Sequence, residues 1–436
     1  MTATETDPVA EVAPVVRRRR SESPSTGGRR GRQGRRSGRA GGDGSRTVWW
    51  QLASTAAFAV LIVALALLGY QASRLITGGG TDKVTDPAAP GYVAEVRPTP
   101  VDLVAVTTDD GVLAGVLIVS SAGAKTGGTV SALPATASAG PGEKGTFPLL
   151  LDDFAAGGLD QLRTSLGVGL TFGFTSAEQI SARDLTTLAG LAGPITVNNV
   201  DNLIDAPDKA TIRAGRTGET VRYRAGEVVL EPADVAGFLA FAGVGEAPDR
   251  QMLRHLTVWE QLLTALKGKD LSALAGEGSA EAGGGIGAVS DLLGDLGAGE
   301  VTYEPVPVAP QPIPGTYFTA MVPDAAALPT YVARVVPFPT SAVPGQRARV
   351  ELLNGTTDKD AALLVAPKVV AAGGEITLLG NADSFDVTAT QVHYPVPEAR
   401  EAAEEIASAL GVTATAAPAS SGGVDVSVIV GSDRTS

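Results

Sequence analysis

Along this 436-residue chain, the spacing of the hydrophobic residues changes several times between a pattern typical of strands and one typical of helices. Through residues 101–339, short apolar runs of strand length alternate with segments whose apolar residues recur at helical spacing. This alternation predicts an α/β or α+β sheet covered by helices. The predicted strands are Val104–Val106, Gly115–Ser120, Thr129–Leu133, Ile195–Val200 and Thr316–Val322, and the predicted helices are Leu159–Leu166, Leu185–Leu191, Glu231–Phe241 and Leu253–Leu266.

A second, smaller unit is predicted over residues 347–433, after a short linker at residues 340–346. Its order of elements is β-α-β-β-α-β, which suits a small ferredoxin-like sandwich that folds on its own. The strands are predicted at Arg347–Leu353, Glu375–Leu379, Ala389–Tyr394 and Val424–Val430, and the helices at Asp358–Ala372 and from Pro397 to Leu410.

One apolar run is long enough to cross a membrane. Trp49–Tyr70 contains 22 residues without a charge, and a helix of that length rises about 33 Å, enough for the hydrocarbon core of a bilayer. A cleaved signal peptide is the alternative. It is disfavoured because the run is long and no A-x-A-like cleavage site follows in Gln71–Gly80. Residues 47–70 are therefore predicted to be a single transmembrane helix, followed by a Gly/Pro-punctuated stalk at residues 71–100.

Charge orients this helix. Residues 1–46 contain eleven arginines and five acidic residues, a net charge of +6, whereas the whole chain carries −13. Arginines before the span mark the cytoplasmic side. We therefore expect a plasma-membrane protein with a disordered cytoplasmic tail at residues 1–46 and with everything after Tyr70 outside. Because the tail has no aromatic residue, weak attraction to anionic lipid is favoured over nucleic-acid binding.

Composition excludes several kinds of site. The chain has no cysteine and two histidines, which rules out disulfides, thiolate metal sites and histidine-rich metal clusters. His255 is expected to be a core or helix-surface residue, and His393 a solvent-facing residue in a strand. The glycine-rich run Gly276–Gly287 lacks the phosphate-loop pattern and is expected to be a flexible linker.

Two pairs of adjacent carboxylates invite a metal-site interpretation. Asp152 and Asp153 precede a predicted helix, and Asp153 as a helix cap is favoured over a metal or catalytic pair. Asp109 and Asp110 precede Gly111, so a hairpin turn is favoured there, and the two residues remain only weak candidates for metal ligands.

The smaller unit resembles the LytR C-terminal domain of cell-envelope proteins. The resemblance covers nearly the whole unit. It rests on V-E-L-L-N-G before a helix (Val350–Gly355), T-x-V-x-Y (Thr390–Tyr394), A-x-x-I-A-x-x-L-G at a helix end (Ala403–Gly411) and the terminal V-I-V-G-S-D (Val428–Asp433).

Residues 101–339, which precede this unit in the chain, resemble a diverged LytR-CpsA-Psr domain. The similar segments follow the family's order: Gly115–Ser138 for the strand-loop-strand with its S-I-P-R-D motif, Phe154–Gly158 for A-Y-x-x-G-G, Leu188–Val197 for D-A-L-G-G-V-x-V, Ala225–Ala242 for the stretch ending in Y-x-R-x-R, and Asp249–Leu266 for the late D-x-x-R helix.

The resemblance implies an enzyme that transfers glycopolymer from a polyprenyl-pyrophosphate carrier to peptidoglycan. Such a domain holds the lipid in an apolar tunnel and grips the pyrophosphate with arginines and an aspartate-bound metal. This chain departs from the family at those positions. The S-I-P-R-D arginine and aspartate fall at Ala135 and Thr136, and the Y-x-R-x-R arginines at Ala240 and Ala242, with Phe238 at the tyrosine position. Arg250 and Arg254 remain as candidates for residual phosphate binding.

Alanine offers a pyrophosphate neither charge nor donor, whereas guanidinium groups are its natural partners. We therefore expect a pseudo-enzyme: a non-catalytic scaffold or binder of wall polymer, carrier lipid or partner transferases, with no cofactor and no nucleic-acid partner. The alternative is an active transferase, and only that alternative calls for magnesium. A third hypothesis is a regulator that passes an external signal to the cytoplasmic tail. It would require a recognisable signalling module in the tail, and the tail sequence contains none. Eight lysines against 26 arginines suggest a high-GC genome and agree with an actinobacterial cell envelope.

Overall fold

A computed structural model of the chain describes residues 84–123, 126–142, 145–205, 220–244, 246–274, 285–313, 319–418 and 422–434. The predicted cytoplasmic tail, the predicted membrane helix Trp49–Tyr70 and the first part of the stalk lie outside these residues. Among the helices within them, none is long and apolar enough to span a bilayer.

Secondary structure in the first three quarters of the chain is mixed α/β, as predicted. The strands are β1 (Val93–Glu95), β2 (Val101–Thr107), β3 (Leu113–Ser121), β4 (Gly127–Pro134), β5 (Ser176–Ser181), β6 (Ile195–Asn199), β7 (Leu203–Asp205), β8 (Thr220–Tyr223), β9 (Gly226–Leu230), β10 (Glu300–Tyr303), β11 (Val308–Pro312) and β12 (Thr319–Pro323). The helices are α1 (Leu150–Leu170), α2 (Ala182–Ala192), α3 (Val235–Ala240), α4 (Pro248–Leu266), α5 (Gly285–Gly297) and α6 (Leu328–Val335).

The centre of this region is a five-stranded sheet in the order β10-β4-β3-β2-β5. Its middle strands β2, β3 and β4 pair antiparallel, and the outer strands β5 and β10 run parallel to their neighbours. Strands β2 and β3 are buried almost throughout, because helices cover both faces of the sheet. This explains why their sequences read as continuous apolar runs and not as alternating ones.

Each face of the sheet packs into its own apolar core. Leu103 and Ile118 point into the core that contains α1 and α6, while Val104 and Leu117 point into the core that contains α2, α3, α4 and α5. The alternation follows the two-residue period of a strand.

Residues 348–430 form a second sheet with two helices. Its strands are β13 (Ala348–Asn354), β14 (Gly374–Asn381), β15 (Gln391–Tyr394), β16 (Ala414–Ala416) and β17 (Val426–Val430), and its helices are α7 (Ala361–Ala371) and α8 (Arg400–Leu410). The strand order is β1-β14-β13-β17-β15-β16. The predicted ferredoxin-like sandwich is wrong, because β13 and β14 are direct parallel neighbours, whereas a split βαβ unit separates them by another strand.

The two regions share one apolar core. Buried residues from the larger region, such as Leu166 and Tyr331, and from the smaller one, such as Val365 and Leu410, belong to the same cluster. The predicted linker also makes defined contacts. The backbone N–H and hydroxyl of Ser341 both donate to Glu375 Oε2, at 2.9 and 2.6 Å, and Gln346 Nε2 donates to the Val168 carbonyl at 2.9 Å.

Three local predictions need correction. The glycine-rich run expected to be a linker enters helix α5 at Gly285, because Ile286, Val289, Leu293 and Leu296 form a buried face. Helix α1 begins at Leu150, before the predicted start, and Asp152 instead of Asp153 caps it by accepting the Leu149 N–H at 3.2 Å. The helix predicted over Glu231–Phe241 is limited to Val235–Ala240.

Candidate functional site

The segments that resemble the S-I-P-R-D and Y-x-R-x-R motifs meet on the first half of helix α4. Thr136 follows strand β4 and donates its hydroxyl to Gln251 Oε1 at 2.5 Å. One turn further along α4, Arg254 reaches the carbonyls of Phe238 and Phe241. Two segments about a hundred residues apart in sequence therefore contact neighbouring turns of one helix.

Arg254 is already occupied at this site. Its guanidinium pairs with Glu246 through two bonds, Nε to Oε1 at 2.8 Å and Nη2 to Oε2 at 3.0 Å, and both side chains are about 95% buried. Nη2 also donates to the Phe241 carbonyl at 2.6 Å, Nη1 donates to the Phe238 carbonyl, and the guanidinium lies 5.0 Å from the centre of the Phe238 ring. With a carboxylate and two carbonyls as partners, this arginine is a structural tie, and we do not assign it to phosphate binding.

The other candidate positions supply little charge. Ala135 is buried, Ala240 is half-buried and Ala242 is exposed. Arg250 lies on the first turn of α4 and is exposed to solvent. Arg250 is thus the candidate cation that stays available near the meeting point of the two motifs.

His255 follows Arg254 and is fully buried, so its prediction as a core or helix-surface residue is resolved in favour of the core. Burial and the neighbouring Arg254 charge lower its pKa to about 3, against a hydrogen bond with the Leu239 backbone that raises it. Its Nε2 has no hydrogen-bond partner among the described residues. The ring packs on Gly115 of β3, where a Cβ would lie 2.7 Å from the imidazole. With so low a pKa and no exposed surface, this imidazole is a weak proton acceptor, and we do not assign it the role of a general base.

The carboxylate pairs do not form a metal centre. Asp109 and Asp110 lie in the exposed turn between β2 and β3, which the Gly111 N–H closes on the Thr108 carbonyl at 2.9 Å, so the hairpin prediction is confirmed. Within the ranges described above, no three His, Cys, Asp or Glu side chains are grouped so as to hold a metal ion. A divalent cation needs several oxygen ligands around one point. These two aspartates do not supply such a set.

A cavity of about 500 Å³ with mixed polar and apolar walls lies between the C-terminal halves of α4 and α5 and strand β10. Its walls include Leu263, Leu266, Leu293, Leu296 and Val301, with Lys267 and Glu300 also in the lining. The volume falls in the usual range for small-molecule pockets. Ala135, Ala240 and Ala242 are not among its lining residues, so this cavity does not open at the motif positions.

Two features of this site were not predicted from sequence. Gln251 and Glu246 hold Thr136 and Arg254 in place. The contact of Gln251 with Thr136 depends on the fold bringing a distant segment to α4, whereas Glu246 lies eight residues before Arg254. A glutamate eight residues before an arginine is too common to be a signal. His393, in contrast, lies at the sheet surface in β15 as expected, with hydrogen bonds to Thr415 and Gln391.

Comparison with known proteins gives one family match, to the model described as LytR cell envelope-related transcriptional attenuator, over residues 347–433. No curated protein matches the chain. Among solved structures, the chain is similar to TagT of B. subtilis, with 13% identity, a TM-score of 0.36, and coverage of 58% of this chain and 93% of that one. It is also similar to a LytR-Csp2A-Psr enzyme from Actinomyces oris, with 17% identity, a TM-score of 0.38, and coverage of 57% and 96%.

A third solved structure, the LytR-CPS2A-psr family protein TagT with bound octaprenyl pyrophosphate, is 14% identical, with a TM-score of 0.34 and coverage of 57% of this chain and 95% of that one. At such scores these similarities alone establish neither a shared fold nor a shared activity. The match over residues 347–433 confirms what the V-E-L-L-N-G and T-x-V-x-Y motifs predict. The chain is therefore a protein whose residues 347–433 form a LytR C-terminal domain, preceded by a mixed α/β region whose motifs resemble those of LytR-CpsA-Psr proteins.

Proposed function

We propose that this chain is a membrane-anchored, extracytoplasmic protein of the cell envelope, and that residues 101–339 are a non-catalytic LytR-CpsA-Psr-like domain. Its role is that of a scaffold or binder of carrier lipid, wall polymer or partner transferases. The observation that carries the proposal is that the polar side chains near the motif positions around α4 are already bonded to other protein groups. Thr136 is bonded to Gln251, and Arg254 is committed to Glu246 and two carbonyls.

A pyrophosphate carries at least two negative charges and needs cationic or N–H donors when it leaves water. Ala135, Ala240 and Ala242 provide no side-chain donor. Arg254 would have to release a buried carboxylate before it could bind a phosphate, and an unpaired buried charge is strongly disfavoured. These two facts support the loss of pyrophosphate recognition by the family's route.

Lipid binding depends on different residues. Part of the wall of the 500 Å³ cavity between α4, α5 and β10 is aliphatic, and the attraction of aliphatic surface for a prenyl chain does not need the missing arginines. We therefore expect affinity for the hydrocarbon part of a carrier lipid and little added affinity for its head group. Such binding should vary little with salt, whereas head-group binding would weaken as salt screens it.

The test compares a short-chain prenyl pyrophosphate with the matching prenyl alcohol, using the full chain in detergent and magnesium at low and high salt. We expect similar affinities for the two ligands and no release of phosphate. Glu300→Lys, which places a cation at an exposed position of the cavity lining, should bind the pyrophosphate at least about tenfold more tightly than the alcohol, the gain of one charge-assisted hydrogen bond. Glu300→Gln is its uncharged control.

The alternative is an active transferase that uses Arg250, the exposed cation near the motif positions. Phosphate release or polymer transfer by the unmodified chain, abolished by Arg250→Ala, would replace the non-catalytic proposal with this one. Arg254→Ala is unsuitable for that purpose because its loss disrupts the buried pair with Glu246.

The membrane topology belongs to the same proposal and has its own test. An alkaline-phosphatase fusion after Pro100 should be active, since the arginines before Trp49 hold the N-terminus inside. An inactive fusion there, with an active one before Trp49, would reverse the orientation. Release of the mature chain from the membrane fraction would instead indicate a cleaved signal peptide.

A further inference from the structure

The sheet of the LytR C-terminal domain contains a strand that does not belong to that domain. Strand β1 (Val93–Glu95) comes from the segment predicted to be a stalk, and it pairs antiparallel with the edge strand β14, with Val93 opposite Gly380 and Glu95 opposite Leu378. The residues matched by the family model, 347–433, therefore end in an open edge at β14 when taken alone. In this chain that edge is filled by a segment from nearly 300 residues earlier.

Backbone hydrogen bonds extend the contact beyond the three residues of the strand. Asn381 N–H donates to the Tyr92 carbonyl at 2.7 Å, Val96 N–H to the Thr377 carbonyl at 2.9 Å, and Gly91 N–H to the Ala382 carbonyl at 3.0 Å. The side-chain amide of Asn381 also donates to the carbonyls of Pro87 and Ala89, at 2.9 and 2.8 Å. One side chain of the domain thus binds the turn that leads into β1.

Gly380 gives the incoming strand room. A Cβ at this position would lie 2.1 Å from the Tyr92 carbonyl oxygen and 2.8 Å from the Val93 Cα. Contacts this short between a side chain and a backbone are not tolerated, so only glycine permits the approach. Asn381 and Gly380 are adjacent, and together they adapt the edge of β14 to an extended backbone.

The bound strand buries little of its own surface. Val93 is 37% exposed and Glu95 is exposed, while Val96, just after the strand, packs partly against the apolar core. Attachment therefore relies on main-chain hydrogen bonds, which is the pattern of strand addition to a sheet edge, and such attachment depends weakly on side-chain identity. A short, exposed edge strand also belongs to the part of a protein that opens most readily.

We propose that the β14 edge of this LytR C-terminal domain is an acceptor site for an extended peptide strand, and that residues 86–96 occupy it in cis and exchange with the same segment of a second copy of this chain, which offers the edge the same contacts. Gly380 and Asn381 are its specific features: the first admits the backbone and the second binds the carbonyls of the preceding turn. The proposal rests on these contacts and not on the proposed role of residues 101–339.

Hydrogen–deuterium exchange on the unmodified full chain tests the docking directly. Because Val96 N–H donates to β14 and Tyr92 accepts from it, the even-numbered residues of this segment face the edge. We expect the amides of Ala94 and Val96 to be protected and those of Val93 and Glu95 to exchange freely, with Ala94 opening faster than the amides of central strand β13. Unprotected Ala94 and Val96 would refute the docking. Protection as strong as that of β13 would refute exchange.

A pair of proline variants tests the acceptor site in trans. Ala94→Pro removes an N–H that faces β14, whereas Glu95→Pro removes one that faces away, a position where an edge strand tolerates proline. The probe is a labelled synthetic peptide of residues 86–97, DPAAPGYVAEVR. Ala94→Pro should bind it, and both the unmodified chain and Glu95→Pro should bind it at least about tenfold more weakly, because cis occupancy reduces the competent fraction.

A second substitution guards against indirect effects. Gly380→Val added to Ala94→Pro should abolish peptide binding, since its side chain fills the space of the Tyr92 carbonyl. Equal binding by all variants, or no binding by a folded Ala94→Pro chain, would overturn the proposal. If Ala94→Pro does not fold, as judged by near-UV circular dichroism, the exchange experiment on the unmodified chain still decides between docking and no docking.

Discussion

Arg254 in the larger region and Arg347 in the LytR C-terminal domain are both buried, with 7% and 5% of their surfaces exposed, but they are neutralised differently. Arg254 lies against the carboxylate of Glu246. Arg347 donates to backbone carbonyls instead: Nε to Gly374 at 3.2 Å, Nη1 to Thr171 at 3.0 Å, and Nη2 to Gly374 and Val370. Burial lowers the pKa of Arg347 to about 10, and the nearby charge of Glu375 opposes this shift.

The difference shows what each cation holds together. Arg254 joins helix α4 to the segment from Phe238 to Glu246 within one region. Arg347 joins two regions, because Thr171 ends helix α1 in a left-handed conformation, with φ of 62°, and presents its carbonyl and hydroxyl to the domain that follows. A buried arginine therefore acts as a structural tie in both places.

The largest expected effect is that of Arg254→Ala. Its loss leaves Glu246 buried without a partner, and breaking a buried pair in this way costs about 3–5 kcal/mol. Denaturant unfolding of the full chain measures this cost. Arg250→Ala, four residues earlier and exposed, is the matched control and should change stability by less than about 0.5 kcal/mol. Equal effects would mean that Arg254 is not the structural tie described here.

The second prediction concerns Arg347→Ala. This variant removes the side-chain donors to the carbonyls of Gly374 and Thr171 in a buried place, while the Val370 carbonyl keeps the Gly373 N–H at 3.1 Å. We expect a loss of about 2–3 kcal/mol. Arg349 lies two residues further along the chain, in β13. Arg349→Ala removes its exposed pair with Asp425 and should cost less than about 1 kcal/mol. A cost for Arg347→Ala as small as that of Arg349→Ala would show that water replaces its bonds and that the regions are not tied there.

Sequence patterns predicted the parts of the fold that have strong local signals. Strands β2 and β3 contain continuous apolar stretches, LVAV and LAGVLIV, and the C-terminal domain carries motifs that span its own elements. Helix α5 was missed although Ile286, Val289, Leu293 and Leu296 recur at helical spacing, because the glycines around them suggested a linker.

What could not be predicted depends on distant partners. Strand β1 is three residues long and follows a Gly/Pro-rich segment, so its pairing with β14 has no local signature. The same holds for the site: the sequence indicated that arginines were missing at Ala135, Ala240 and Ala242, but the hydrogen bond between Thr136 and Gln251 exists only once the fold brings the end of β4 to α4.

The two histidines, one in each region, should also differ in how they make stability depend on pH. His255 is buried in the larger region with its pKa lowered to about 3, so the native state stays neutral while the unfolded chain takes up a proton below pH ~6.5. Stability is therefore lost as pH falls from about 6.5 towards 3, by up to about 1.4 kcal/mol per pH unit. His255→Gln should flatten this slope relative to the unmodified chain, whereas His393→Gln, at the sheet surface, should leave it unchanged. Identical slopes in both variants would mean that His255 takes up its proton in the native state as readily as in the unfolded chain.

The smallest expected effect is the difference in the cost of Arg347→Ala between the isolated C-terminal domain and the full chain. Residues 346–436 remain predicted to fold alone, and in that fragment Arg347 keeps its bonds to Val370 and Gly374 but has no Thr171 to bind. The cost of Arg347→Ala should then be about 1 kcal/mol lower in the fragment than in the full chain, the contribution of one to two hydrogen bonds. Thermal unfolding of the fragment and its Arg347→Ala variant measures this difference, with Arg349→Ala as a control expected to cost the same in both backgrounds. An equal cost for Arg347→Ala in fragment and full chain would mean that the bond to Thr171 adds nothing to stability. A fragment that does not unfold cooperatively would mean that the domain needs the preceding region in order to fold.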